Sequence, residues 1–302
     1  MLTLLVVIIG LSGAFIFGAA DFLGGLAAKH ISSIRVTAIA AVAGLIVLLL
    51  ALPFIGGEWS AEAVLFGGLS GIAGAGAIVL LYACLAIGPM SILSPLTAVV
   101  SAIVPMTAGL IRGERLEPLG YLALGLALVA VVLVGFVPDK KAVRPSLKAL
   151  VMATGSGALI GTFMILIDLT PDDSGLVPLI ANRSVNAAIM VSAIAVLAPI
   201  AARRVKRVEF AETSRARRGF ATTSFRTALK LAILCGVLDA VANALMLLGL
   251  RLGELTIMSV LTAMYSAGTI ILAAIVIKER LTPSQIAGLV LALAAAAMLA
   301  VV

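Results

Sequence analysis

Apolar segments of about 20 residues recur along the whole chain, separated by short breaks that carry charges, glycine or proline. A backbone in lipid has no water to bond with, so only helices and closed barrels can span a membrane. The weakly alternating strands that mark an outer-membrane barrel are not seen in the sequence. With 63% apolar and 12% charged residues over 302 positions, the chain has too little polar surface for a soluble globule. We therefore expect an all-α integral membrane protein.

Ten segments have the length and composition of membrane-spanning helices. They cover residues 2–28, 34–55, 63–87, 90–111, 118–137, 147–168, 176–200, 228–250, 254–277 and 283–302. The first lacks a preceding basic stretch and is followed by further spans, so we interpret it as a helix and not as a cleaved signal peptide. These features predict a multi-pass protein of the cell (plasma or inner) membrane without a soluble domain.

Part of the chain is duplicated. Residues 88–118 align without a gap with residues 253–283, at a constant offset of 165 positions, and 13 of the 31 pairs are identical. Nearer the start of each copy the offset falls to 144, which places 21 additional residues of the second copy within the basic stretch 203–230. Each copy therefore contains five of the ten predicted spans.

An odd number of spans determines how the two copies are oriented. A unit that crosses the membrane five times leaves its second copy upside down relative to the first. Inverted repeats of this kind are typical of secondary transporters that alternate access around a site near the bilayer midplane. The sequence predicts ten transmembrane helices in two inverted five-helix repeats, at 1–137 and 147–302, with a linker at 138–146.

Basic residues are concentrated on one predicted side of the membrane. Of the 21 lysines and arginines, 17 fall on the side that includes 29–35, 140–148, 203–230 and 278–280. The positive-inside rule makes this side cytoplasmic and places both termini outside. Membrane orientation accounts for the net charge of +7, and we expect no nucleic-acid partner.

The sequence carries no signature of an enzyme. It lacks a Walker loop, a Gly-x-Ser-x-Gly elbow and a His-Glu-x-x-His motif. Cys84 and Cys235 both fall inside predicted spans and His30 is the only histidine, so we expect no disulfide framework, metal site or cofactor. Without a nucleotide site, transport would run downhill or on an ion gradient, with protons as a candidate coupling ion.

Charged side chains are rare within the predicted spans, where each costs about 2.5–3.5 kcal/mol on insertion scales and is by default a functional candidate. Asp239 lies near the centre of the eighth span, with Asn243 one turn further on the same face. Asp21 lies in the second half of the first span, and Arg183 lies in the seventh. These four residues are our candidates for substrate binding or proton coupling.

Two interpretations of these charges remain open. An apolar cavity favours a carboxylate that takes up and releases protons, which would make Asp21 or Asp239 a coupling site, and Arg183 could bind a substrate carboxylate. Alternatively, Asp239 and Arg183 form a structural ion pair. Further polar residues are candidates for lining the same cavity, namely Tyr82, Asn182, Asn186 and Tyr265.

Several motifs resemble one known family. The turns Gly-Glu-Arg-Leu-Glu-Pro at 113–118 and Lys-Glu-Arg-Leu-Thr-Pro at 278–283, each after an Ala-x-x-Ser-Ala run, are similar to the EamA repeat of the drug/metabolite transporter superfamily. Phe-Gly-Ala-Ala-Asp-Phe-Leu-Gly-Gly at 17–25 resembles the first helix of bacterial members, which usually have Trp-Gly at its start. Segment 174–183 resembles the arginine-bearing start of the second helix, and the position aligned with Arg183 in the first copy is Ile39.

This resemblance implies a ten-helix inner-membrane carrier that exports or exchanges small metabolites such as amino acids, through a central cavity lined by both repeats. It also implies cytoplasmic termini, which is opposite to the orientation that the basic residues predict. It supplies no universal coupling residue, so the site candidates rest on the cost of burying them. The expected partners are a small-molecule substrate and the lipid bilayer, and the expected assembly is a monomer or homodimer.

Two other functions are alternatives to a metabolite transporter. A flippase or carrier of lipid-linked or nucleotide-linked sugars would need a larger cavity with several basic residues facing it, and Arg183 alone fits that requirement. A membrane sensor or assembly subunit would transport nothing.

Overall fold

The computed structural model of the chain describes residues 2–28, 30–87, 90–135, 145–208, 218–278 and 281–301, in which every regular element is helical. The α-helices are α1 (Leu2–Ala28), α2 (Ser33–Ile55), α3 (Ala61–Ile87), α4 (Met90–Ile111), α5 (Pro118–Gly135), α6 (Leu147–Asp168), α7 (Val177–Val208), α8 (Arg218–Leu252), α9 (Leu255–Ala263), α10 (Tyr265–Leu272) and α11 (Pro283–Val301). A 3-10 turn at Asp172–Ser174 precedes α7, and a π-helical turn at Ala273–Ile277 follows α10.

Nine helical stretches within the described residues are long and apolar enough to cross a membrane, and α4 contributes a shorter apolar segment, Leu96–Ile111. One of the nine, Leu255–Val276, combines α9, α10 and most of the π-helical turn. The prediction of a multi-pass, all-helical membrane protein is therefore confirmed.

The largest differences from the predicted spans are in α7 and α8. The predicted spans end at 200 and begin at 228, whereas α7 continues to Val208 and α8 begins at Arg218. Hydropathy identifies the part of a helix that crosses lipid, but arginine, lysine and alanine are good helix formers and allow the helix to continue beyond it. Most of the predicted linker at 138–146 lies outside the described residues.

Glycines bring neighbouring helices into backbone contact, as small residues commonly do between membrane helices. A Cβ atom on Gly67 would lie 2.5 Å from the Pro178 carbonyl oxygen, and one on Gly71 would lie 2.6 Å from the carbonyl oxygen of Asn182. These successive contacts show that α3 and α7 run parallel along a seam too narrow for larger side chains.

Helix α8 forms a similar seam with α2. A Cβ on Gly236 would lie 2.2 Å from the Ala40 carbonyl oxygen, and one on Gly44 would approach Gly236 and Ala240. The register of these contacts shows that α2 and α8 are also parallel.

Two antiparallel pairs join the first five helices to the later ones. On α1, Gly13 lies next to Ala242 of α8, and Gly24 lies next to Cys235. Helix α6 is likewise antiparallel to α3, with Gly76 near Leu159 and Gly155 near Leu80.

The loops at one end of the bundle contact each other closely. We call this end the Arg251 face and define it by segments 56–60, 112–117, 169–176 and 251–254. The Glu58 amide donates to the Asp173 carbonyl at 2.9 Å, and the Arg112 and Asp168 side chains pair at 2.5 Å. Gly57 and Gly175 have φ angles of 146° and 48°, and a Cβ on either would collide with the opposite backbone. These contacts join the loop after α2 to the loop before α7.

One span is interrupted at its middle. Helix α9 ends at Ala263, Met264 forms a turn, and α10 begins at Tyr265. Pro95 and Pro105 lie in α4, the equivalent helix of the first copy, which is continuous. The interruption therefore occurs in the copy of this helix that lacks proline. Irregular backbone at membrane depth is tolerated where it is buried in protein or borders a cavity.

Candidate functional site: a charged cavity between the helices

A cavity of about 250 Å³ lies among helices from both parts of the chain. Helices α1, α3, α4 and α6 to α10 contribute to its wall. Its lining combines three charged side chains with amides, hydroxyls and aromatic rings. The three charged side chains all lie within helical stretches that are long and apolar enough to cross a membrane, so the cavity lies at membrane depth.

Arg183 of α7 and Asp239 of α8 form an ion pair in the cavity wall. The exposed fractions of the two side chains are 13% and 25%, so each retains a small surface towards the cavity. The Asn243 amide reinforces the arrangement by donating to the Asp239 carbonyl oxygen at 2.7 Å and to its carboxylate at 3.3 Å. Of the two interpretations of these charges, the paired one is the arrangement found here.

Asp21 is the third charged residue of the wall. It is an exposed residue within α1, and the surface that it exposes faces the cavity. Among the residues that the structure describes, Asp21 makes no hydrogen bond or ion pair. Its charged neighbour is another carboxylate, Asp239, which already has Arg183 as its partner.

Two asparagines of α7 lie at the cavity, as the sequence predicts. The Asn182 amide donates to the Ser70 hydroxyl at 2.7 Å and so links α7 to α3. Asn186 is 5% exposed, and its Oδ1 atom has no hydrogen-bond partner within the described part of the chain. The first asparagine therefore supports helix packing, whereas the second has an acceptor free for a ligand.

Tyr265 borders the cavity at the interruption between α9 and α10. The hydroxyl of Thr269, one turn further along, donates to the Gly18 carbonyl at 3.1 Å, which holds α10 against α1 next to Asp21. The side chain of Tyr82, the remaining cavity candidate, lies outside the described residues.

The structure thus brings seven of the eight candidates to one cavity, namely Asp21, Asn182, Arg183, Asn186, Asp239, Asn243 and Tyr265. Five aromatic and hydroxyl residues beside them are not among the predicted candidates, namely Phe17, Ser101, Phe163, Ser259 and Thr262. Helical spacing could have identified some of these. Phe17 is one turn before Asp21, and Ser259 is three residues before Thr262, so each pair shares a face.

The cavity wall is chemically asymmetric between the two copies. Gly74 and Asp239 are equivalent positions at the offset of 165, as are Ile78 and Asn243, and all four line the cavity. The second copy therefore supplies polar groups where the first supplies only apolar surface.

The acidic residues at the end of α6 are arranged differently from a metal site. Asp168 pairs with Arg112, and Asp172 lies 3.2 Å from Arg251. Among the described residues, no group of three or more histidine, cysteine, aspartate or glutamate side chains could hold a metal ion.

Glu114 caps the start of α9, a helix far from it in sequence. Its carboxylate accepts hydrogen bonds from the Leu255 and Thr256 amides at 3.0 and 2.9 Å, at the start of α9. A carboxylate at a helix N-terminus satisfies free amides and complements the helix dipole. The equivalent Glu279 and Arg280 lie outside the described residues.

Together, the apolar helices and the cavity that carries charged side chains define a multi-pass membrane protein with an internal binding space. A family model described as the EamA-like transporter family matches residues 4–136 and 147–301. The chain belongs to this family, which lies in the drug/metabolite transporter superfamily, and the resemblance recognised from the sequence motifs is confirmed.

Comparison with other proteins adds information about the fold only. No curated protein matches the chain in sequence. A crystal structure of a protein matches with a TM-score of 0.66 and 13% sequence identity, over 97% of both chains. At this identity the match supports a shared fold and carries no information about substrate.

Proposed function

We propose that this protein is a secondary transporter that exports or exchanges small, amino-acid-like metabolites across the cell inner membrane by alternating access. The observation that carries the proposal is the charged cavity at membrane depth, lined by helices of both copies. Charged groups inside a membrane are costly and occur where a substrate or ion passes.

The packing of the helices supports two inverted repeats, at 1–137 and 147–302 with a linker at 138–146. Helix α1 is antiparallel to α8 in the same way that its counterpart α6 is antiparallel to α3. In such an architecture, the two halves form equivalent gates on opposite sides of the membrane.

The parallel seams give further support. Gly71 and Gly236 are equivalent in the repeat, and each contacts a backbone carbonyl of the other copy's second helix, at Asn182 and Ala40 respectively. Matching Asn182 with Ala40 in this way places Arg183 opposite Ala41 in the repeat, whereas the sequence alignment matches it with Ile39. The two matches differ by two residues because the connection before α7 is longer than the connection before α2. Either residue is apolar, so the first copy has no counterpart of the arginine.

The cavity favours a small solute over the sugar-linked alternative. Ligand pockets commonly enclose about 300–1,000 Å³, and this one, at about 250 Å³, is near the small end. A carrier of nucleotide- or lipid-linked sugars would need several free basic groups for phosphates, whereas the basic residue among the described lining is Arg183, which is paired with Asp239.

Asp21 is our candidate for proton coupling. It faces the cavity and lacks a fixed cation within the described structure, so its charge can be neutralised by a proton. The titratable groups near it are Asp239 and Cys235 on α8 and Tyr265 on α10, with Arg183 opposite on α7.

Flux into liposomes tests the proposed function. Purified protein is reconstituted, and uptake of a panel of labelled amino acids and amines is measured with and without an imposed pH gradient. We expect saturable uptake of at least one solute, accelerated by unlabelled solute inside the liposomes, since a carrier exchanges its substrates. Protein-free liposomes are the control. The absence of flux in both directions under both conditions would support the sensor or assembly-subunit alternative and contradict the proposal.

A further inference from the structure

The charge balance of the cavity indicates which chemical group it accepts. Its described wall contains two carboxylates, Asp21 and Asp239, and one guanidinium, Arg183. The guanidinium is paired with Asp239, and this carboxylate also accepts a hydrogen bond from Asn243. One negative charge, on Asp21, is therefore left without a partner among the described residues.

A second unsatisfied acceptor lies in the same wall. Asn186 is 5% exposed and its Oδ1 atom has no hydrogen-bond partner among the described residues, although burying a polar atom without a partner costs about 1–3 kcal/mol. An acceptor in this position is satisfied by a donor from a ligand or from water. Asp21 and Asn186 both require a hydrogen-bond donor, and the unpaired charge of Asp21 favours a donor that is positively charged.

Aromatic rings complete this environment. Phe17, Phe163 and Tyr265 all border the cavity, and Phe17 lies one helical turn before Asp21 on the same face of α1. The faces of aromatic rings attract cations, most strongly where water is excluded. Aromatic rings beside a cavity therefore favour an ammonium group over a carboxylate.

We propose that the cavity recognises the protonated amino group of a small organic amine, with the Asp21 carboxylate as its counter-ion and Asn186 Oδ1 as a hydrogen-bond acceptor. Arg183 holds Asp239 and does not bind a substrate carboxylate. This inference rests on the proposed transport function and specifies its substrate class, namely amines and amino acids recognised through their ammonium group.

A matched series of ligands tests the inference. Leucine carries both charged groups, 3-methylbutylamine lacks its carboxylate, and 4-methylpentanoate lacks its amino group. Binding of each is measured by isothermal titration calorimetry at pH 7 on the purified full chain in detergent. We expect the amine to bind at least as tightly as leucine, and the acid to bind at least tenfold more weakly. Binding of the acid as tight as that of the amine, or no binding of the amine, would overturn the proposal.

Variants assign the binding to its residues. Asp21→Asn should weaken amine binding at least tenfold, whereas Asp173→Asn, which removes an exposed carboxylate outside the cavity, should leave it unchanged. If Asp21→Asn does not fold, Asn186→Leu supplies the test, since it removes the free acceptor and should weaken amine binding severalfold. Unchanged amine binding in a folded cavity variant would contradict the assignment.

These measurements are separate from the flux assay because binding in detergent does not require transport. Flux of solutes without amine selectivity would contradict the substrate class and leave the transporter proposal intact. Amine binding without flux would support the substrate class and contradict the transporter proposal.

Discussion

Arg251 anchors the loop between α6 and α7 through five hydrogen bonds, to the carbonyl oxygens of Thr170 and Pro171 and to side chains of Thr170, Asp172 and Ser174. The arginine side chain is 14% exposed, whereas that of Asp172 is 92% exposed. The buried hydrogen bonds therefore contribute more stability than the ion pair, which water screens.

We predict that Arg251→Ala lowers the free energy of unfolding by ~2–4 kcal/mol, because it leaves several buried acceptors without a donor. Asp172→Asn is the matched control and should change stability by less than about 0.5 kcal/mol. Chemical or thermal unfolding in detergent measures both. Equal losses in the two variants would show that the exposed ion pair, and not the buried network, stabilises the loop.

Glu254 gives the Arg251 face a dependence on pH. This residue precedes α9, outside the membrane-spanning segments, and its buried Oε2 atom has no hydrogen-bond partner among the described residues. Burial, and secondarily the nearby Glu114 carboxylate, raise the pKa of Glu254 above the ordinary value of 4.5. The folded chain therefore binds this proton more tightly than the unfolded chain does.

The sign of this difference predicts how stability changes with pH. The contribution of Glu254 is fully present below its ordinary pKa of 4.5 and is lost as pH rises through the raised pKa of the folded state. Glu254→Gln cannot ionise, so the margin between its thermal midpoint and that of the unmodified chain should increase as pH rises from 4.5 through the raised pKa, and level off above it. Thermal unfolding from pH 4 to 8 measures the margin, with Glu58→Gln as a control for removing an exposed carboxylate from the same face. A margin that does not change with pH would contradict this account.

At the scale of helices, close packing depends on particular glycines. A Cβ on Gly236 would lie 2.2 Å from the Ala40 carbonyl oxygen, so an alanine there must push α2 away from α8. By contrast, a Cβ on Gly125 of α5 would meet nothing within 4 Å. The two positions therefore separate helix packing from the intrinsic helix propensity of glycine.

Gly236→Ala should destabilise the protein by roughly 1–3 kcal/mol, because overpacking displaces backbone. Gly125→Ala should have no effect or stabilise it by up to about 1 kcal/mol, since alanine is the better helix former. Thermal unfolding of both variants in the same detergent makes the comparison. A neutral Gly236→Ala would show that the α2–α8 seam is looser than the structure indicates.

The helices themselves could largely be predicted from the sequence, because an apolar segment of about 20 residues has few alternatives to a membrane helix. The interruption at Met264 could not. Proline is the usual sequence signal for a broken helix, and both prolines lie in the other copy, in α4. The turn at Met264 lies next to the contact of Thr269 with Gly18 across 251 positions, and such long-range packing leaves no local pattern.

The residues of the candidate site could also be predicted from the sequence, whereas their arrangement could not. Asp21, Arg183 and Asp239 could be identified from the cost of charge in a membrane, but their division into a pair and a lone carboxylate could not. That division depends on how α1, α7 and α8 meet around the cavity. Phe163 was missed because an aromatic residue in an apolar helix has no distinguishing pattern.

For the whole molecule, the central claim is that the cavity opens to either side of the membrane in turn. Gly74 is a suitable reporter position because it lines the cavity, is equivalent to Asp239 in the repeat, and has room for a side chain, with Asn186 Nδ2 at 3.6 Å from its Cβ position. Two exposed residues at opposite ends of α2 provide fixed references for the two sides, namely Arg35 in its first turn and Glu58 after its last residue.

The most direct measurement is labelling of Gly74→Cys by a membrane-impermeant thiol reagent, added separately to each side of oriented vesicles. Cys84 and Cys235, the two cysteines of the sequence, are first replaced by alanine. Arg35→Cys and Glu58→Cys should each label from one side only, and from opposite sides, which also fixes the orientation of the termini. We predict that Gly74→Cys labels from both sides. Labelling from a single side only, while both references label as expected, would contradict alternating access.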